Sequence, residues 1–193
     1  MTNILHSVRG RLVIGAALLA LTATACGGGE KDAGADSAKG AEATGGPLAE
    51  KLTFHQVDAV TESKCPEGAS ADGKATVEVA GGDGCLTLAD PALTVSRTRT
   101  VETADGTASG IGWTVQVSLT EADATSFADF TARLAKNQAP ANRVAVLLGA
   151  DRLLMAPQVN ETIKNGELQF TGYQDRKQAE ALAADLGADL GAQ

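Results

Sequence analysis

Between Gly112 and Leu119 the chain alternates strictly, with Trp113, Val115, Val117 and Leu119 on one side and Thr114, Gln116 and Ser118 on the other. A period of two is the mark of a half-buried strand. The strand runs straight into Thr120-Glu-Ala-Asp123, a Thr-x-x-acid arrangement that caps a helix start and puts acids at its positive end. The period then changes: Phe127, Phe130, Thr131 and Leu134 fall at i, i+3, i+4 and i+7, one stripe that needs a sheet to cover it. This helix is predicted to end near Asn137, ahead of Pro140.

Downstream, Arg143–Leu148 reads as an apolar strand, Gly149-Ala150-Asp151 as a tight turn, and Arg152–Met155 as a returning strand stopped by Pro157. Residues 159–163 form an irregular or helical link. Gly166–Thr171 alternates again, with Leu168 and Phe170 sharing a face. Asp175-x-x-Gln178 caps a second helix, whose stripe is Ala179, Leu182, Ala183 and Leu186 and whose end is marked by Gly187. Upstream the signal is weaker. Leu52–Val60 reads as a strand with Leu52, Phe54 and Gln56 on one side and Thr53, His55 and Val57 on the other, neither side cleanly apolar. Thr94–Thr103 looks extended, followed by turn chemistry at Ala104–Thr107, and a short strand is expected near Ala75–Val79. Short strands, a hairpin and two helices predict an α+β fold, a small mixed or antiparallel sheet with both helices packed on one face.

Residues 1–47 follow neither period. Arg9 and Arg11 precede an apolar run from Leu12 to Leu21, then Ala23-Thr24-Ala25 leads to Cys26. This resembles a bacterial lipoprotein signal, which implies cleavage before Cys26 and acylation of that cysteine with chains such as palmitate. From Cys26 to Gly46 the chain has no aromatic, Leu, Ile or Val, so it has nothing to bury against its ordering entropy. The expected organisation is therefore a signal peptide over 1–25, a disordered tether over 26–47 and one folded domain over 48–193. Such a tether reaches on the order of 25 Å, placing the domain just off the extracytoplasmic face of the cell membrane.

The formal net charge is −8, and loss of Arg9 and Arg11 with no acid takes it to about −10. A surface that acidic offers no electrostatic case for nucleic acid. With one Trp, one Tyr and four Phe, the core must be built mainly from Val, Leu and Ala. Cys65 and Cys85 remain after Cys26 is assigned. Outside the cytoplasm such a pair reads most simply as a disulfide, worth roughly 3 kcal/mol for a loop of this length; the rival reading is a redox-active or metal-binding pair. Catalytic signatures are sparse: one histidine beyond the signal, His55, no Gly-x-Ser-x-Gly elbow, no His-Glu-x-x-His and no phosphate loop. His55 reads as an ordinary strand residue, and neither enzyme activity nor a cofactor is expected.

Taken together, Gly112–Leu186 resembles the periplasmic P1 head subdomain of SecD, the export-motor membrane protein. The resemblance rests on Phe127-Ala128 followed by Thr131, on Val144–Leu148 through Ala156-Pro157, and on Ile163, Gly166, Gly172, Ala179 and Leu182 in order. Leu52–Val57 resembles the strand that enters the head. The hairpin departs from the family, with Gly149-Ala150-Asp151 where Asp-Gly is typical. SecD also couples export to the proton gradient through transmembrane helices that have no counterpart in this sequence. The resemblance thus implies the fold and a non-catalytic binding module, in contact with exported polypeptides or an envelope partner, and does not imply motor activity. Gly149, Ala150 and Asp151 are the candidate contact residues, and reuse of the scaffold for another role, such as small-ligand binding at the envelope, is the alternative.

Overall fold

The computed structural model describes residues 42–66, 73–79 and 84–188. Its strands are β1 (Glu42–Thr44), β2 (Pro47–Thr61), β3 (Ala75–Glu78), β4 (Cys85–Gly106), β5 (Gly112–Leu119), β6 (Val144–Leu148), β7 (Arg152–Met155) and β8 (Glu167–Tyr173). Two helices, α1 (Glu121–Leu134) and α2 (Arg176–Asp185), complete the α+β fold. The strand order is β7-β6-β2-β4-β5-β8, with β1 and β3 also paired to β4, and every ladder is antiparallel.

Both helices pack on one face. Phe127, Phe130 and Leu134 of α1 and Ala179, Leu182, Ala183 and Leu186 at α2 join Leu52, Phe54, Val95, Val115, Val117 and Phe170 of the sheet in the main core. The caps are those the sequence predicts. Thr120 Oγ1 accepts from the Asp123 N–H at 3.3 Å, and Asp175 Oδ1 accepts from the Gln178 N–H at 2.8 Å. Past α2, the Gly187 and Ala188 N–H groups close on the carbonyls of Ala184 and Ala183.

A second, smaller core occupies the opposite face, formed by Val57, Val77, Leu86, Leu88, Ala145 and Leu147. Its existence explains two sequence patterns. All five residues of β6 are buried because Val144, Val146 and Leu148 face the helices while Ala145 and Leu147 face the second core. The same double burial blurs the alternation of β2, which sends Leu52 and Phe54 to one core and Val57 to the other, with register shifts around His55.

The long strand β4 differs most from expectation. It starts at Cys85, well before Thr94, and serves the second core through Leu86 and Leu88 and the main core through Leu93, Val95 and Val101. The change of face falls around Pro91, opposite His55 at a register shift. Proline is tolerated at such irregularities because it has no N–H to give to a ladder. At its far end β4 runs to Gly106, so the turn lies at residues 107–111, just beyond the expected position. Asp105 accepts there from both the hydroxyl and the backbone N–H of Thr107, at 2.6 and 2.9 Å, and these bonds hold its carboxyl below the ordinary aspartate range.

The expected boundary at Leu48 also moves. Pairing with β4 begins at β1, with Ala43 opposite Val101, and continues through Gly45, whose N–H donates to the Arg99 carbonyl. A backbone ladder needs no apolar side chain, so the composition of this segment does not reveal it. The expected signal peptide, Cys26 and the tether up to residue 41 lie outside the described residues. Among the described residues no helix is long and apolar enough to cross a membrane.

Candidate interaction surface

The hairpin between β6 and β7 stands at one end of β2. Gly149 takes a left-handed φ of 71°, and its N–H donates to the Lys51 carbonyl at 2.9 Å. A Cβ at this position would meet only the end of the exposed Glu50 side chain, which can move aside, so it is the left-handed conformation that calls for glycine. Leu148 pairs with Arg152 across the turn, leaving Gly149, Ala150 and Asp151 as a three-residue loop whose last two members are exposed. β7 beyond it is the terminal strand of the sheet, four residues long and stopped at Pro157, as short edge strands commonly are.

Arg152 Nη1 donates to Asp185 Oδ2 at 2.6 Å, joining the base of the hairpin to the end of α2. Around this pair lies an open hollow of about 290 Å³ lined by Ala49, Glu50, Leu148, Asp151, Arg152 and Asp185. Three carboxylates face one guanidinium there, so the hairpin presents an acidic, hydrogen-bond-accepting surface. Residues 50, 152 and 185 were not legible as a group, because Arg152 and Asp185 are 33 positions apart and neither has a motif around it.

Cys65 and Cys85 are joined in a disulfide, with Cα atoms 4.9 Å apart. Cys85 pairs with Thr61 at the other end of β2, so the bond and the hairpin lie at opposite ends of that strand. Cys26 is outside the described residues. His55 is buried at 7% exposure: Nδ1 lies 2.9 Å from the Ala89 carbonyl and Nε2 2.9 Å from Thr53 Oγ1. A carbonyl only accepts, so Nδ1 carries the proton of that bond, and in the neutral ring Nε2 accepts from the Thr53 hydroxyl. The Nδ1 bond fastens β2 to β4, while the Nε2 bond stays within β2.

The residues behind the family resemblance acquire physical roles. Thr131, buried in α1, donates to the Phe127 carbonyl at 2.9 Å and accepts from the Ile163 N–H at 3.1 Å. Gly166, at φ 62°, packs so closely on Ala124 that a Cβ would overlap it, while its carbonyl accepts from the Leu119 N–H. These contacts set the link between β7 and β8 against the first helix.

Comparison with known proteins points the same way. Residues 84–190 match the family model described as SecDF, P1 head subdomain. Over 77 residues the chain is 34% identical to the protein translocase subunit SecD of Streptomyces coelicolor, a match covering 40% of this chain and 13% of that protein. The chain therefore spans only a small part of that relative's length. Two solved structures are also similar, a SecDF crystal structure in a super-membrane-facing form and a structure of SecDF described as a membrane component that enhances protein export. Each has 19% identity and a TM-score of 0.47 over 74% of this chain, covering 19% and 64% of the respective chains. With more than half of its residues matched by that one model, the chain belongs to the SecDF P1 head subdomain family.

Proposed function

We propose that this protein is a lipid-anchored, extracytoplasmic binding module that contacts exported polypeptides or an envelope partner through the Gly149–Asp151 hairpin. The observation that carries the reading is the family match over residues 84–190, a periplasmic and non-catalytic domain. The Cys65–Cys85 disulfide supports an oxidising location, and the approach to Cys26 supports acylation. In this reading the acyl chains supply location without mechanical coupling, so the module acts by binding and not as a motor.

A photoreactive residue at Ala150 in the full chain tests the contact in living cells, with the same residue at Lys177 on α2 as the control. Newly exported or envelope proteins are expected to crosslink from position 150 above the control. An identical set of products from both positions would count against the hairpin as a contact site. For the anchor, the mature N-terminus is expected to carry acyl mass at Cys26, and Cys26→Ala to release the protein from membranes. Membrane retention of that variant would remove this part of the proposal.

A further inference from the structure

Among the described residues the second core is closed by one short strand. Val57, Leu86, Leu88, Ala145 and Leu147 are presented by β2, β4 and β6, with Leu153 and Ala156 half-buried beside them. Against these, β3 contributes one buried side chain, Val77, at 4% exposure, on a strand of four residues. It pairs with Cys85–Leu88 of β4, and the curl of the sheet brings it against β7 without a ladder between them. Among the described residues an ion pair also runs from Lys74 to Asp58 at 2.6 Å, partly exposed on both sides and therefore weak. Burial of one valine and an edge ladder of four residue pairs, whose hydrogen bonds are each modest in net energy, must be set against the ordering of the strand, a narrow balance for β3 on its own.

What tips that balance is covalent. The Cys65–Cys85 bond spans 20 positions and encloses β3, so it limits how far this segment can leave β4. Cys65 is partly exposed while Cys85 is buried at 4%, so the Cys65 side is the more open approach to the bond. The main core shares none of its residues with β3 and is built from the helices and the other face of the sheet.

We propose that the disulfide and β3 form a thiol-controlled latch, in which reduction frees β3 from β4 and uncovers the second core while the helix-covered core stays folded. A dithiol reductant attacks Cys65 Sγ as the thiolate, the S–S bond breaks and Cys85 leaves as a thiolate that takes up a proton. The second thiol of the reductant resolves the mixed disulfide, so the protein gains two electrons and two protons and the reductant becomes a disulfide. The uncovered surface is an apolar trough floored by Leu86, Leu88, Val57 and Leu147, beside the β4 edge that β3 had occupied.

Amide hydrogen exchange on the full chain, with and without dithiothreitol and followed residue by residue, tests the latch. The expected result is a loss of protection at Thr76–Glu78 on the order of a hundredfold on reduction. Protection at Val115–Leu119 and Phe127–Leu134 should not change, and a dye that binds exposed apolar surface should brighten. A C65A/C85A variant should show the reduced pattern without reductant, and if it fails to fold the reduced native chain still gives the answer. Unchanged protection of β3 would overturn the latch, and so would loss of protection throughout the domain, which would make the bond a staple for the whole fold.

Discussion

Thr131 and Ile163 are joined across 32 positions by a hydrogen bond from the Ile163 N–H to the Thr131 hydroxyl at 3.1 Å, while the hydroxyl donates back into its own helix. A single buried oxygen thus closes the turn of α1 and anchors the link that leads to β8. Thr131→Val keeps the shape and removes the acceptor, leaving a half-buried N–H without its partner. The expected loss is about 1–3 kcal/mol by urea denaturation, with Thr131→Ser recovering most of it. An unchanged midpoint for Thr131→Val would show that water satisfies Ile163 equally well.

The rings of Phe54 and Phe127 lie 5.2 Å apart, centre to centre, where β2 meets α1. In a core this poor in aromatics, little else can fill the space either would leave. Phe127→Ala should cost about 3–5 kcal/mol, and Phe127→Leu appreciably less. Calorimetric unfolding of the three proteins would rank them, and equal losses for both substitutions would argue against cavity formation as the cause.

The Arg152–Asp185 pair calls for a different expectation. Both side chains are about half exposed, at 52% and 47%, so solvent screening leaves the pair little net energy. Arg152→Ala should lower stability by less than about 1 kcal/mol, and a double-mutant cycle with Asp185→Ala should give a coupling within the same bound. If the hairpin is the contact surface, Arg152→Glu should reduce crosslinking from position 150 far more than it reduces stability. A proportional fall in both would make the pair merely structural.

Burial raises the pKa of Tyr173 above the ordinary tyrosine value, and the Arg152 charge opposes that shift in part. The folded-state value being the higher one, the group's contribution to stability is complete below the ordinary tyrosine pKa and is lost as pH rises through the folded value. Near neutrality it adds no pH dependence. Because this is the only tyrosine, tyrosinate absorbance reports it directly. Titration is expected above the ordinary value, and Arg152→Ala should move it higher still. Movement in the opposite direction would mean that Arg152 does not act on Tyr173 as a positive charge.

Where one period governs one face, the sequence could be read to within a few residues. β5 and the two helices each bury a single side or stripe, so their alternation, stripes and caps all point to the same structure. β2 and β4 were harder because each serves two cores, and a strand buried on both faces or switching face at Pro91 has no clean alternation to find. β1 gave no signal because its place depends on backbone pairing.

The sequence by itself determined the helices, the β6–β7 hairpin and the family and made Cys65 with Cys85 the simplest pairing, since each depends on residue types at short or countable separations. The tertiary structure decided that the sheet has a second core, that β3 closes it with one valine, and that Arg152 reaches Asp185 beside Glu50. Those facts depend on how the antiparallel sheet curls, and curl follows from the combined twist and bulges of many strands. No short stretch of sequence contains that information.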